Sequence, residues 1–472
     1  MQESQGRLIG VGVLPWAKAG GGRREPLLIS RVVRREVVLP VVAMGKEEFA
    51  GTGAGAAAPA GARGLRSLVL GSAVLFALVG RGIGESFAVF LLPLQQSFAF
   101  SRAEATAIYA VMVLAVGFGG PWAGMLFDRL GPRALYGAGA ALLVGGTFLA
   151  SWAQSFWQLA LTIGVVIGMG TSCVGIAGQT PLLGRWFPGR IGTALGVVGA
   201  ATGLGVLICA PIAQILIDAH GWREAYRILG TAAVVVLLPM LVFLPWRRLQ
   251  RGAGESVPAS SRAFGAASGT SFGAAFADPV LWALVVGFGL TAAATFSVQP
   301  QLVGFFVAVG YSPLEAASWL GVGGLAASAG MVGFGWLGDR LGPAAAVWIS
   351  YAATALGLAV LASMLWVQSF WQLPLYVLTF GATLGSRGPL VMAIAARRWT
   401  GPALGRISGL IVFGFGLGGG GGALAGGYLH DLGGDALVFV VAAGLLAMGA
   451  VAFAAAFRRQ GGTARGVPRV GH

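Results

Sequence analysis

The stretch Gly124-Met125-Leu126-Phe127-Asp128-Arg129-Leu130-Gly131-Pro132-Arg133 returns as Gly335-Trp336-Leu337-Gly338-Asp339-Arg340-Leu341-Gly342-Pro343-Ala344, displaced by 211 residues. Each copy is a short charged turn between two long apolar runs. Gly-Pro suits a chain that must reverse within a few residues. An aspartate near a helix N-terminus is favoured by the helix dipole. Other segments repeat at nearly the same offset. Gln154-Ser155-Phe156-Trp157-Gln158-Leu159 returns as Gln368-Ser369-Phe370-Trp371-Gln372-Leu373, displaced by 214. Arg185-Trp186 returns as Arg398-Trp399, and Gly192, Gly196, Gly203 and Gly205 match Gly405, Gly409, Gly416 and Gly418, displaced by 213. The chain is an internal duplication.

Composition tells what is duplicated. Of 472 residues, 56% are apolar and only 10% charged. A soluble protein carries roughly 25% charged residues, so a water-soluble enzyme and a disordered chain are both excluded. Glycine is abundant, at 80 residues, but without a three-residue period, which excludes collagen. Apolar runs long enough to cross a bilayer lie near 67–93, 105–127, 134–153, 157–180, 191–217, 226–246, 279–308, 315–337, 344–366, 371–396, 406–429 and 436–457. The expected fold is therefore an all-α polytopic membrane protein. It has twelve transmembrane helices in two six-helix halves related by pseudo-two-fold symmetry.

The basic residues, almost all arginine, fall in every second loop: Arg129 and Arg133, Arg185 and Arg190, Arg247 to Arg262, Arg340, Arg397 to Arg406, and the C-terminal tail. The alternate loops hold only Arg102, Arg223 and Arg227. The positive-inside rule then places both termini and the central loop in the cytoplasm. The domain reading is a disordered cytoplasmic tail over 1–66, six-helix halves over 67–246 and 279–457, a cytoplasmic linker over 247–278 and a cytoplasmic tail over 458–472. Residues 1–66 carry ten Lys and Arg and lack the form of a signal peptide; translation starts at Met1 or at Met44. The net charge of +15 reflects this loop pattern and does not indicate nucleic acid binding. Cys173 and Cys209 sit in apolar runs and read as small packing residues.

The spacing Gly124-x-x-x-Asp128-Arg129-x-Gly131-x-Arg133 resembles the signature between the second and third spans of the major facilitator superfamily. The second copy keeps Gly335, Asp339, Arg340 and Gly342 but has Ala344 where a base is expected. Phe90-Leu91-Leu92-Pro93-Leu94, Trp186-Phe187 and Gly221-Trp222-Arg223 are similar to the bacterial monocarboxylate and oxalate/formate porter group. The resemblance covers about 67–457. It implies secondary transport by alternating access across a bacterial inner membrane. In that family the signature latches the cytoplasmic gate, which gives Gly124, Asp128, Arg129, Gly131, Arg133, Asp339 and Arg340 a gating role.

Ionisable side chains deep in a span are costly and usually functional. Three stand out: Arg81 and Glu85 in the first span and Arg387 in the tenth. Arg81 lies about 22 Å of helix beyond Arg66, and Arg387 about 15 Å before Arg397, so both fall near mid-membrane. Glu85 is at i+4 from Arg81 and can pair with it. Polar residues recur at helical spacing in the seventh span (Thr291, Thr295, Gln299), the tenth (Tyr376, Thr379, Thr383, Arg387) and the fourth (Ser172, Gly175, Gln179). In the duplicated frame Arg81, Glu85 and Arg387 match Ala292, Phe296 and Val174. Charges that do not repeat on a repeating scaffold point to chemistry rather than structure.

Two arginines against one glutamate leave a spare positive charge, and a guanidinium fork fits a carboxylate. The expected substrate is a small organic monoanion such as a monocarboxylate. It would be bound by Arg81, Arg387, Tyr376, Thr383, Thr295, Gln299 and Gln179, with Glu85 the candidate proton carrier of a symporter. Burial favours the neutral acid and Arg81 the carboxylate. No nucleotide loop, cofactor motif, metal-ligand spacing or catalytic His or Cys arrangement is present, so no cofactor and no enzyme activity are expected. The glycine run 418–422 lies inside an apolar span and serves close helix packing. The expected partners are the substrate anion, protons and the lipid bilayer, around a monomer. Two competing readings are an exporter of hydrophobic compounds and a non-transporting sensor on the same frame.

Overall fold

The structure, a computed structural model, describes residues 60–175, 178–179, 182–183, 186–187, 191–251, 271–399 and 404–464. Among these it is helical with no strand. Apolar runs in lipid have no water to satisfy their peptide groups, so each run closes its hydrogen bonds within a helix.

The helices in chain order are α1 (Ala60–Glu85), α2 (Phe87–Phe98), α3 (Arg102–Ser151), α4 (Phe156–Leu159), α5 (Gly168–Val174), α6 (Ile191–Phe243), α7 (Trp246–Arg251) and α8 (Phe272–Phe276). Then come α9 (Pro279–Val298), α10 (Leu302–Ala308), α11 (Pro313–Leu341), α12 (Pro343–Ser363), α13 (Gln372–Tyr376), α14 (Arg387–Arg398) and α15 (Leu404–Ala464). Nine stretches among the described residues are long and apolar enough to cross a membrane. Two of them, within α6 and α15, double back at Gly221 and at Gly433–Gly434 and supply two spans each. The broken tenth span, α13 and α14, completes twelve.

The duplicated signature turns owe their shape to glycine. Gly131 bends α3 with φ 81°, and its repeat Gly342 sits between α11 and α12 with φ 86°. Side chains rarely tolerate that left-handed region. Both turns lead into a proline, Pro132 and Pro343, whose fixed φ suits the first position of the next helix.

The two halves pack through α3 against α15 and α6 against α11. A Cβ on Gly117 would lie 3.6 Å from the Cα of Gly416. Ser328 Oγ donates to the Gly199 carbonyl at 2.9 Å. Small residues permit such backbone approach where burial of apolar surface supplies no driving force.

The first helix starts at Ala60, so the last residues of the expected tail are ordered helix; residues 1–59 lie outside the described residues. The expected linker is helical at both ends, in α7 and α8, and 252–270 lie outside the described residues. The last span runs past Phe457 to Ala464.

Candidate functional site

The first span, Gly64–Phe98, is interrupted within its length. α1 stops at Glu85 and α2 starts at Phe87, with Ser86 between them as a turn whose hydroxyl donates to the Gly82 carbonyl at 2.5 Å. The seventh span is interrupted too, where Gln299–Gln301 form a tighter turn around Pro300 between α9 and α10. Proline lacks the N–H that would continue the helix. The two breaks meet through a hydrogen bond from Gln299 to Glu85, with Arg81 alongside.

Glu85 is the centre of this cluster and is 8% exposed. Its Oε1 lies 2.8 Å from Arg81 Nη2. Its Oε2 accepts from the Tyr109 hydroxyl at 2.8 Å and from Gln299 Nε2 at 3.1 Å. Arg81 and Tyr109 belong to the first half and Gln299 to the second, so this carboxylate ties the halves together. Both oxygens of this buried carboxyl group thus have partners, as buried polar groups require. Arg81 is 38% exposed. Glu85 engages one nitrogen of a five-donor fork, and over a third of the side chain remains accessible.

Arg387 is held differently. It is 3% exposed and starts α14. Its Nη2 donates to the Ser350 carbonyl at 3.1 Å and to Thr354 Oγ1, and its Cζ sits 4.6 Å over the Tyr351 ring. Those three partners lie on α12. Its Nε is buried without a hydrogen bond, and among the described residues it has no carboxylate partner. The structure therefore does not bring Arg387 and Arg81 to one anion-binding cluster. Backbone geometry explains the difference from the expected helical stripe. Val377–Gly381 form a wide π-type turn, and the chain turns again before Arg387 through bonds from Leu384 N to Gly381 O and from Ser386 N to Thr383 O. Such irregular turns rotate the downstream residues off the 3.6-residue register.

The other expected site residues have partners of their own. Thr295 Oγ1 donates back into its own helix, to Thr291 O at 3.0 Å. Thr383 Oγ1 accepts from Thr354 at 2.7 Å and donates to Phe380 O at 3.0 Å, in the Arg387 neighbourhood. Tyr376 is buried with its ring 5.5 Å from that of Phe306. Gln179 is off the fourth-span stripe, because α5 ends at Val174 and Gly175 is extended. Its amide donates to the Ala73 carbonyl at 3.0 Å and to that of Val174.

Of the signature residues, Arg129, Arg133, Asp339 and Arg340 are exposed. Arg340 lies 4.3 Å over the Trp336 ring. Gly124 is within α3, and the side chain of Asp128 lies outside the described residues. Sequence reading missed Tyr109 and the α12 trio Ser350, Tyr351 and Thr354. Tyr109 had a signal: a phenol amid an apolar run must find a partner when buried.

The profile of the Major Facilitator Superfamily matches residues 73–395. The chain belongs to the Major Facilitator Superfamily and is a multi-pass membrane transporter of that class. It is 27% identical to monocarboxylate transporter 13 of Rattus norvegicus over 78% of this chain and 83% of that one. It is 29% identical to the fujikurins efflux protein of Gibberella fujikuroi over 42% of this chain and 37% of that one. Its fold is that of a bacterial homologue of the human lysosomal transporter Spinster (TM-score 0.64, 18% identity, 84% of this chain and 97% of that one). The nucleoside transporter NupG is similar in fold at TM-score 0.66 and 15% identity, over 83% of this chain and all of the other.

Proposed function

We propose that this protein is a secondary active transporter of a small organic monoanion, a monocarboxylate, coupled to protons through Glu85. The observation that carries the reading is the cluster where the breaks of the first and seventh spans meet. There a half-open guanidinium is neutralised by a buried carboxylate that is also bonded to the opposite half. The likeness to monocarboxylate transporters supports the same substrate class.

The chemistry runs as an exchange of partners. A substrate carboxylate engages the open donors of Arg81 and competes with Glu85 for the guanidinium. Glu85, left without its cation, takes up a proton. A neutral Glu85 no longer holds the Gln299 amide as a charge-assisted acceptor, and the halves separate at their centre. Arg387, with Thr383 beside it, is the second proposed anion contact, and Tyr376, Thr295, Gln299 and Gln179 are further proposed contacts. The sealed surroundings of Arg387 make Arg81 the first point of binding. The signature residues Asp128, Arg129, Arg133, Asp339 and Arg340 gate the arginine-rich end, which we assign to the cytoplasm.

The test is uptake of labelled L-lactate into proteoliposomes under an inward proton gradient. The native protein accumulates lactate. Glu85→Gln exchanges it without accumulation, and Arg81→Ala does neither. Accumulation that is unchanged in Glu85→Gln overturns the coupling. Thermal stabilisation by neutral or cationic apolar compounds, with no response to carboxylates, overturns the substrate class and favours export of apolar compounds, the activity named for the Gibberella relative.

A further inference from the structure

At the arginine-poor end one carboxylate bridges the halves. Asp431, at the end of the eleventh span, accepts the backbone N–H groups of Arg102 at 2.9 Å and Ala103 at 2.8 Å. These open the second span, so the carboxylate meets donors that no carbonyl of their own helix reaches, at the positive end of the dipole. The Arg102 side chain makes its own hydrogen bond elsewhere. Its Nη1 donates to Gln95 at 2.8 Å, and its guanidinium covers Gly304, where a methyl would lie 2.8 Å from both terminal nitrogens. His430 lies between two acids, 3.9 Å from Asp431 and 3.8 Å from Asp435.

The internal repeat supplies a built-in comparison. Capping boxes open the second span at Ser101 and Glu104 and the eighth at Ser312 and Glu315, displaced by 211 residues. Asp431 and Gly434 have counterparts in Asp218 and Gly221, displaced by 213, and both glycines have positive φ. The frame repeats but the bridge does not. Asp218 is engaged by Gln214 Nε2 at 2.7 Å, one turn back in its own helix, and the counterpart of Gln214 is Gly427. The eighth span opens with Pro313 where the second has Arg102, and proline has no N–H to give. Gly427 also makes room. A Cβ there would overlap Thr106 Oγ1 and lie 2.7 Å from the Arg102 carbonyl and 2.8 Å from Ala103 Cα. One symmetric position thus has both donors, an acceptor no glutamine occupies and close approach, while the other has lost one donor to Pro313 and has its acceptor engaged by Gln214.

We infer that Asp431 is a gate residue that holds the arginine-poor end of the transporter shut by capping the second span across the interface between halves. Alternating access requires this end to open once per cycle, and opening must release both charge-assisted bonds. Asp431 acts on the conformational equilibrium and does not touch the Arg81–Glu85 cluster.

The test uses the full chain with Cys173 and Cys209 replaced by alanine, in lipid nanodiscs. Spin labels at Gln96 and Leu314, exposed positions on opposite halves at this end, report the separation by electron–electron resonance. The native distribution is dominated by the short distance. Asp431→Ala shifts the short-to-long ratio about tenfold toward the long one. Asp431→Asn shifts it less in the same direction and serves should the alanine variant fail to fold, as read by its melting temperature. Asp218→Ala leaves the distribution unchanged. A native protein already dominated by the long distance, an unmoved distribution in a folded Asp431 variant, or an equal shift in Asp218→Ala overturns the inference.

Discussion

Glu85 in the first span and Arg387 in the tenth are both charges at helix breaks, yet they are stabilised in opposite ways. Glu85 has a countercharge, a phenol and an amide, and one of these comes from the other half. Arg387 has a carbonyl, a hydroxyl and an aromatic face, all within its own half. The first arrangement depends on how the halves sit and can respond when they move. The second is indifferent to that motion. A buried charge is therefore better read through the element that supplies its partners than through its depth in the membrane.

The sharpest way to break this contrast is to remove the countercharge. Arg81→Ala leaves Glu85 buried without a cation, and a stranded buried charge is strongly destabilising. The expected loss is about 3 kcal/mol, discounted because Arg81 is partly open to solvent. Adding Glu85→Gln in the same chain restores most of the melting temperature without restoring carboxylate binding. A single variant as stable as the native protein would mean that Glu85 is already neutral, and that the pair is not an ion pair.

Much of the frame is legible in the sequence. The duplicated Asp128 and Asp339 turns, the apolar runs and the arginine bias point to twelve helices and their pairing. The Arg81–Glu85 pair is legible because i+4 spacing on one helix is a local fact. The orientation of Arg387 is not. A stripe of Tyr376, Thr379, Thr383 and Arg387 assumes an unbroken 3.6-residue register, and the wide turn at Val377–Gly381 removes it. Gln179 departs from its stripe for the same reason, since α5 ends at Val174. The asymmetry of Asp431 and Asp218 is present in the repeat. Only contacts between halves, which no local pattern encodes, reveal what it does.

A smaller effect comes from the uncharged partners of Glu85. Tyr109→Phe removes one hydrogen bond to a carboxylate and is expected to cost about 1–2 kcal/mol. Gln299→Leu removes the bond between halves and is expected to raise exchange rates more than it lowers the melting temperature. Equal effects of the two on stability, with no change in rate, would deny the cluster its role in joining the halves.

An ion pair outside the bilayer core gives a control with a pH signature. Asp278 caps α9 and accepts from Arg398 Nε at 2.7 Å and from Val280 N–H at 2.9 Å. Partial burial works to raise its carboxyl, but the bonds from Arg398 and Val280 outweigh this and hold it below the ordinary range. A lowered folded-state value means the contribution is fully present above the unfolded value, near 3.9. It is lost as pH falls through the folded value. Asp278→Asn should therefore lower the melting temperature by an amount worth about 1 kcal/mol at pH 7. The gap between variant and native protein should close as the pH is taken below 4. A gap that persists at low pH would assign the effect to packing.

The smallest expected change is at Arg387, and it is the most informative for function. Arg387→Met replaces a buried cation by an apolar chain of similar length. Thr354 keeps its bonds to the Ser350 carbonyl and to Thr383, at 2.9 and 2.7 Å, so no partner is stranded. No countercharge is left unpaired and the desolvation cost of the buried cation is removed, so a change below about 1 kcal/mol is expected. A charge that contributes so little to the fold needs another reason to be there. If lactate uptake falls while the melting temperature holds, that reason is the substrate, and Arg387 must leave the α12 surface to meet it during the cycle. If uptake is unchanged, the anion is held from the first span alone, and the two broken helices differ in function as they do in partners.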